Sequence, residues 1–183
     1  MLSRIIALAA LSCLISAAAG AADWETDFAK AKAQAGKEQK FILMDFSGSD
    51  WCPWCIKLER EVFSKPEFKK YAKDSLVCVL IDSPREKRLP SKVTRQNTAL
   101  KAKYGVNGFP TVILLSPAGE ELARTGYQPG GAAKYVESLQ KLLAPHQDKL
   151  TPVPAAKKAG DKTPDQPPPV PAEDVHNALN NAL

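Results

Sequence analysis

The sequence predicts an α/β fold in which a central mixed sheet carries helices on both faces. Two apolar runs, Phe41–Phe46 and Leu76–Asp82, are nearly unbroken instead of alternating, as in strands covered on both sides. Segments with apolar residues at helical spacing separate the runs, so helix and strand alternate along the chain. Further on, Val112–Leu115 and Glu121–Thr125 flank Ser116-Pro117-Ala118-Gly119, a type I turn pattern that makes an antiparallel hairpin.

Each element has its own signal. A helix is predicted from Asp23 to about Lys37, with Trp24, Phe28, Ala31 and Ala35 on one face and Gly36 near its stop. The strand Phe41–Phe46 follows, apolar except at Asp45. A second helix starts at Cys52, with Leu58, Val62 and Phe63 at helical spacing, and breaks near Ser64-Lys65-Pro66-Glu67. Ser64 and Glu67 have the capping-box spacing, so a further helical piece is predicted to run to about Lys73. Leu76–Asp82 reads as a central strand holding Cys78 as a buried small hydrophobe. A polar loop with Pro84 and Pro90 leads to a helix from about Thr94 to Lys103, stopped by Gly105. After the hairpin, Gly130-Gly131 opens the last helix, Ala132–Leu143, with Tyr135, Val136, Leu139, Leu142 and Leu143 on its core face.

The chemistry concentrates at Trp51-Cys52-Pro53-Trp54-Cys55, where a strand turns into a helix. Cys52 stands at the helix start, where unpaired N–H groups and the positive end of the helix dipole favour a thiolate. Pro53 suits the first turn because its missing donor has no partner there. Cys55, one helical turn on, is placed to attack a mixed disulfide formed at Cys52, which is the arrangement thiol–disulfide exchange needs. Half of a zinc site and an inert structural disulfide are the alternatives. Zinc takes four ligands, and the remaining candidates are Cys13, Cys78, and two histidines, His146 and His176, in a Pro-rich tail. Asp45 has two readings: a carboxylate pointing out at a strand end, or a buried one near Cys55 that carries that thiol's proton.

Arg4, the apolar run Ile5–Ile15 and the small residues Ala17–Ala22 have the pattern of a signal peptide, assigned to residues 1–21. A periplasmic or secreted protein is therefore expected, in a compartment where disulfides persist. Ala10-Leu11-Ser12 is a poor lead-in to Cys13 as a lipid-bearing cysteine, so membrane contact is expected only through export. Residues 22–144 form the predicted domain, and they carry 20 Lys and Arg against 15 Asp and Glu. These charges are spread along helices, with no basic stripe interleaved with aromatics, so nucleic acid is not the expected partner. Residues 145–183, rich in Pro, Ala and Lys, read as an extended tail that cannot bury a core. Its end, Ala172–Leu183, has the spacing of a short docking helix, but isolated helices of this length are marginal in water, and an unstructured end is the expectation.

Taken together, these features resemble the thioredoxin superfamily over about residues 24–144, in its exported bacterial thiol:disulfide oxidoreductase branch. The resemblance rests on the strand ending in Asp45-Phe46, on Trp51-Cys52-Pro53-Trp54-Cys55, and on Gly108-Phe109-Pro110-Thr111 before the hairpin. The residues between Asp45 and Cys52, and Glu59-Arg60-Glu61-Val62-Phe63 beyond, fit that branch. The resemblance implies a three-layer thioredoxin-like fold, Cys52 as attacking and Cys55 as resolving thiol, and Asp45 as buried proton carrier. It implies that Pro110 is cis and lies against the cysteine pair, and that the Phe109 backbone holds a substrate chain as an added strand. Trp51, Pro53 and Trp54 then border the substrate. The Pro-Trp pair between the cysteines departs from the Gly-Pro of thioredoxin and the Gly-His of disulfide isomerases, and this pair influences redox poise.

The predicted function is exchange with protein thiols and disulfides, in the direction of reduction or isomerisation, by a monomer working with a separate redox partner. No cofactor motif is present, so the Cys52–Cys55 couple is expected to carry the electrons itself. Two other classes remain: a thioredoxin-fold binding module with an idle disulfide, and a periplasmic handler of copper or zinc using the two thiolates.

Overall fold

A computed structural model of the chain describes residues 24–150. The signal-peptide reading of residues 1–21 and the tail from residue 151 onward lie outside the described residues. The elements are α1 (Phe28–Glu38), β1 (Phe41–Ser47), α2 (Pro53–Leu58), α3 (Pro66–Ser75), β2 (Leu76–Asp82), α4 (Ser91–Lys103), β3 (Thr111–Leu115), β4 (Glu121–Thr125) and α5 (Gly131–Leu143). A π-helical turn, Glu59–Phe63, continues α2, and a 3₁₀ segment, Ala144–Leu150, continues α5. The sheet order is β2-β1-β3-β4, with β1 parallel to β2 and antiparallel to β3. This is the mixed α/β sheet expected.

Period-2 alternation sorts the strand side chains onto two faces. On one face Phe41, Leu43, Leu76, Cys78, Val112 and Leu114 pack with Leu58, Phe63, Phe68, Tyr135 and Leu139 from α2, the π turn, α3 and α5. On the other, Ile42, Met44, Phe46, Val79, Ile81 and Ile113 pack with Phe28, Ala31 and Ala35 of α1 and Leu100 of α4. Both faces of β1 are therefore dry, which explains its unbroken apolar run. Asp45 alternates with Phe41 and Leu43, so it projects towards the α2 side.

Four local expectations are corrected. Trp24 is not on the first helix, because Asp27 caps that helix by accepting from the Ala29 and Lys30 amides. Trp24 instead packs against Phe63 and Phe68, across the sheet from Phe28. The strand β2 is outermost in the four-stranded sheet, not central. Glu25 covers its free edge, donating from its N–H to the Cys78 carbonyl and accepting from the Leu80 N–H, both at 2.9 Å. The Ser64–Glu67 capping box does not form: the Ser64 hydroxyl donates back to the Arg60 carbonyl, Lys65 is the N-cap and Pro66 takes the first helical position. Residues 145–150, assigned to the tail by composition, belong with Ala144 to the 3₁₀ segment, and Leu150 rests against the α5 side of the core.

Candidate functional site

The site grows from the end of β1. Gly48 follows the strand where an added Cβ would stand 2.5 Å from the Trp51 ring, so only glycine lets that ring lie on the backbone. The next three residues are each fastened to the last residue of β2 or to the loop after it. Ser49 donates from its N–H and hydroxyl to the Asp82 carboxylate, at 3.0 and 2.6 Å. Asp50 accepts from the amides of Arg85, Glu86 and Lys87, at 3.0, 2.9 and 3.2 Å, and these bonds hold its carboxyl below the usual carboxylate range. Trp51 donates from Nε1 to the Ser83 carbonyl at 2.8 Å. The turn that presents Cys52 is thus braced before the helix begins.

Cys52 is the N-cap of α2, with Pro53 next in the helix, as the sequence predicts. The Cys52 Sγ accepts from the Cys55 N–H at 3.3 Å, a bond that supports negative charge on this sulfur when the pair is reduced. In the structure the two cysteines are joined as a disulfide, Cα atoms 5.2 Å apart, and both residues are buried. Pro53 and Trp54 beside them are exposed, Trp54 at 55%.

The Phe109–Pro110 peptide bond is cis. Phe109 meets Trp51 edge to face with centroids 5.9 Å apart, so the loop before β3 and the turn before Cys52 touch through these two rings. An added Cβ at Gly126 would lie 3.1 Å from the Pro110 carbonyl oxygen, so β4 leaves the hairpin close beside this loop. On the opposite flank Trp54 leans on Tyr127, with centroids 5.3 Å apart, and the Tyr127 hydroxyl donates to Glu61 at 2.8 Å. Lys57 lies over both rings, at 5.3 and 5.1 Å from their centroids, and 4.0 Å from Glu61.

Of the two readings of Asp45, the structure takes the buried one. It is 5% exposed, and its Oδ1 has no hydrogen-bond partner among the described residues. Loss of hydration, then the nearby negative charges of Glu59 and Asp82, push its pKa up to about 8. It shares the sheet face against which Leu58, on the same helix as Cys55, is buried.

Cys78 lies on that face too, as a buried free thiol that burial and then the Asp45 charge push up to about 12.

Sequence reasoning missed Glu59. It opens the π turn, in which the Ser64 N–H reaches back five residues to the Glu59 carbonyl at 2.9 Å. Desolvation raises its carboxyl above the ordinary glutamate range, opposed by Lys69. The bracing role of Asp50 was missed as well. No local pattern pairs a residue with amides 35 to 37 positions away.

A four-stranded mixed sheet flanked by helices, with a CxxC disulfide at a strand-to-helix junction and a cis-proline loop beside it, defines a thioredoxin-like thiol–disulfide oxidoreductase. The family described as a thioredoxin-like domain matches residues 28–142, and the chain belongs to it. Among its relatives is the disulfide bond reductase DsbH of Chlamydia pneumoniae, 38% identical over 126 residues that span 69% of this chain and 75% of the relative. A solved DsbH oxidoreductase superposes with a TM-score of 0.64 at 38% identity, covering 67% of this chain and 84% of that one. A thioredoxin from Thermus thermophilus, 21% identical, shares the fold with a TM-score of 0.52, over 67% of this chain and 88% of its own.

Proposed function

We propose that this chain is an exported reductase of protein disulfides that uses the Cys52–Cys55 couple as its only redox carrier. The observation that carries the reading is the pair itself: a disulfide at the start of α2 with the Cys55 N–H aimed at the Cys52 sulfur. In the reduced protein, the Cys52 thiolate attacks one sulfur of a substrate disulfide, forming a mixed disulfide and releasing the other sulfur as a thiolate. Cys55 then gives up its proton and attacks the Cys52 sulfur. The second substrate thiol leaves, and the Cys52–Cys55 disulfide remains. Two electrons have passed to the substrate, and a separate dithiol partner must return them.

Asp45 is assigned the proton of Cys55. With a pKa near 8 both of its forms are populated around neutral pH, which suits a group that must take a proton and return it. The Phe109 backbone is assigned to the substrate chain as an added strand, with Pro110 beside the cysteines and Pro53 and Trp54 bordering the substrate. Export is supported by the signal-like residues 1–21, and the reducing direction by the name of the relative DsbH and by the absence of an inserted helical lobe among the described residues.

Insulin reduction by dithiothreitol tests the reading. The protein is expected to accelerate precipitation of the insulin B chain, and Cys52→Ser to abolish that acceleration. An inactive wild type, or a Cys52→Ser variant as fast as wild type, overturns it. The direction has its own test in the reduction potential of the pair. A value more reducing than the roughly −180 mV of disulfide isomerase is expected, and a more oxidising one removes the assignment as reductase.

A further inference from the structure

Two cations lie on the aromatic pair that joins the cysteine turn to the cis-proline loop. The Arg85 guanidinium is 3.7 Å from the Trp51 ring centroid, and Lys101 Nζ is 5.0 Å from that of Phe109. A guanidinium laid flat on a ring keeps its N–H donors pointing outward from its edge. Arg85 is exposed, and neither cation forms an ion pair among the described residues. Two carboxylates beside the loop are otherwise engaged: Asp50 accepts three backbone amides and Asp82 accepts from Ser49, while the exposed Glu86 next to Arg85 forms no ion pair with either cation. The flank at Trp54 differs, because there Lys57 lies within 4.0 Å of Glu61. The surface around the dithiol is therefore asymmetric, with its uncommitted positive charge on the Trp51–Phe109 side.

We propose that Arg85 and Lys101 select polypeptide disulfides that carry an acidic side chain within about two residues of the reacting cysteine. The inference rests on the exchange reading above and deepens it by naming a substrate class. A chain held along the Phe109 backbone with its sulfur at Cys52 has its neighbouring side chains above the Trp51 and Phe109 rings. Two extended residues reach about 7 Å, and both cations sit on the rings that join the cysteine turn to the loop carrying Phe109. Trp51 then acts as the platform for Arg85, and the guanidinium meets the substrate. A glutamate there gains charge-assisted hydrogen bonds that a glutamine cannot match.

The test uses the full chain, reduced, and two peptide disulfides identical except for Glu or Gln on both sides of the cysteine. Second-order rates are followed by stopped-flow fluorescence. The Glu peptide is expected to react roughly three- to fivefold faster at low salt, the size of an exposed ion pair, and the advantage should disappear in about 1 M salt. Arg85→Gln with Lys101→Gln should bring the Glu-to-Gln rate ratio to one, and Arg85→Lys should retain part of it. The ratio is taken within one protein, so a general loss of activity in a variant cancels. Equal rates for the two peptides in wild type, or a preference that survives the double substitution, overturns the proposal. Neutral 2-hydroxyethyl disulfide reports separately on exchange. If the reduced chain leaves it intact, the exchange reading fails. The cationic rim is then judged by the affinities of the same peptides with Ser for Cys: a Glu preference supports it and equal affinities overturn it.

Discussion

Asp45 links the chemistry of the site to the stability of the fold. Its pKa is about 8 in the folded protein against an ordinary 3.8, so folding favours its neutral form. Below about pH 4 both states hold the proton and the group has no effect on stability. Between these two values the unfolded chain releases the proton first, so stability falls as pH rises, by about 1.4 kcal/mol per unit for this group alone. Urea unfolding of wild type and Asp45→Asn from pH 4 to 9 should therefore diverge, the variant becoming the more stable as pH rises while losing activity. Parallel pH profiles would show that the carboxyl is hydrated. Gly48 is the second residue on which the site turns. Gly48→Ala puts a methyl inside the space of the Trp51 ring, which must swing away from Ser83, Arg85 and Phe109. A loss of roughly 1–3 kcal/mol in urea unfolding is expected, with an altered near-ultraviolet circular dichroism spectrum and slower insulin reduction.

Among the elements, the turn before α2 and the loop after β2 behave as one unit. Ser49, Asp50 and Trp51 each reach across to residues 82–87, and the Ser83 N–H returns a bond to the Ser47 carbonyl at 2.8 Å. The bracing makes the position of Cys52 depend on a loop more than thirty residues away. Asp50→Ala is expected to speed amide exchange at Arg85, Glu86 and Lys87 and to lower the insulin rate while leaving the amides of β1 protected. Unchanged exchange at those three amides would show that the loop is held by other contacts. The π turn bears on the neighbouring helix. It holds Glu59 and Glu61 two residues apart in one turn, so they face different sides, one with a carboxyl whose charge reaches Asp45 and the other anchoring Tyr127 against Trp54.

For the whole molecule, the sequence was most legible where burial is complete. The strands β1, β2 and β3 stand out because both their faces are covered, which leaves Asp45 as the one polar residue inside their apolar runs. The helix start at Cys52 was legible because Pro53 and the CxxC spacing act locally. Trp24 was misplaced because its distance from Phe28 mimics one helical turn, yet the two rings pack on opposite faces of the sheet. The Ser64 box failed because Pro66 and a backward hydroxyl bond competed for the same turn. The loop bracing and the stacking of Arg85 on Trp51 join residues far apart in the chain, and periodicity carries no information about such pairs. Cys78, which a residue count alone leaves as an odd thiol, lies in the interior shared by β2, α3 and α5. Oxidised native protein prepared without residues 1–21, and so without Cys13, should accordingly take up no iodoacetamide, and unfolding in urea should release one reactive thiol, Cys78, for each chain. Labelling of the native form would require β2 to open.

That strand also has an outer border, and one residue protects it. Glu25 satisfies the Cys78 carbonyl and the Leu80 amide without a fifth full strand. A chain shortened to begin at Thr26 keeps every helix and strand of the domain and the Asp27 cap of α1, but it loses Trp24 from against Phe63 and Phe68 and uncovers those two groups. Unpaired strand backbone is completed by whichever extended peptide arrives next. Self-association that grows with protein concentration, with the dithiol still competent, would be the signature of that loss.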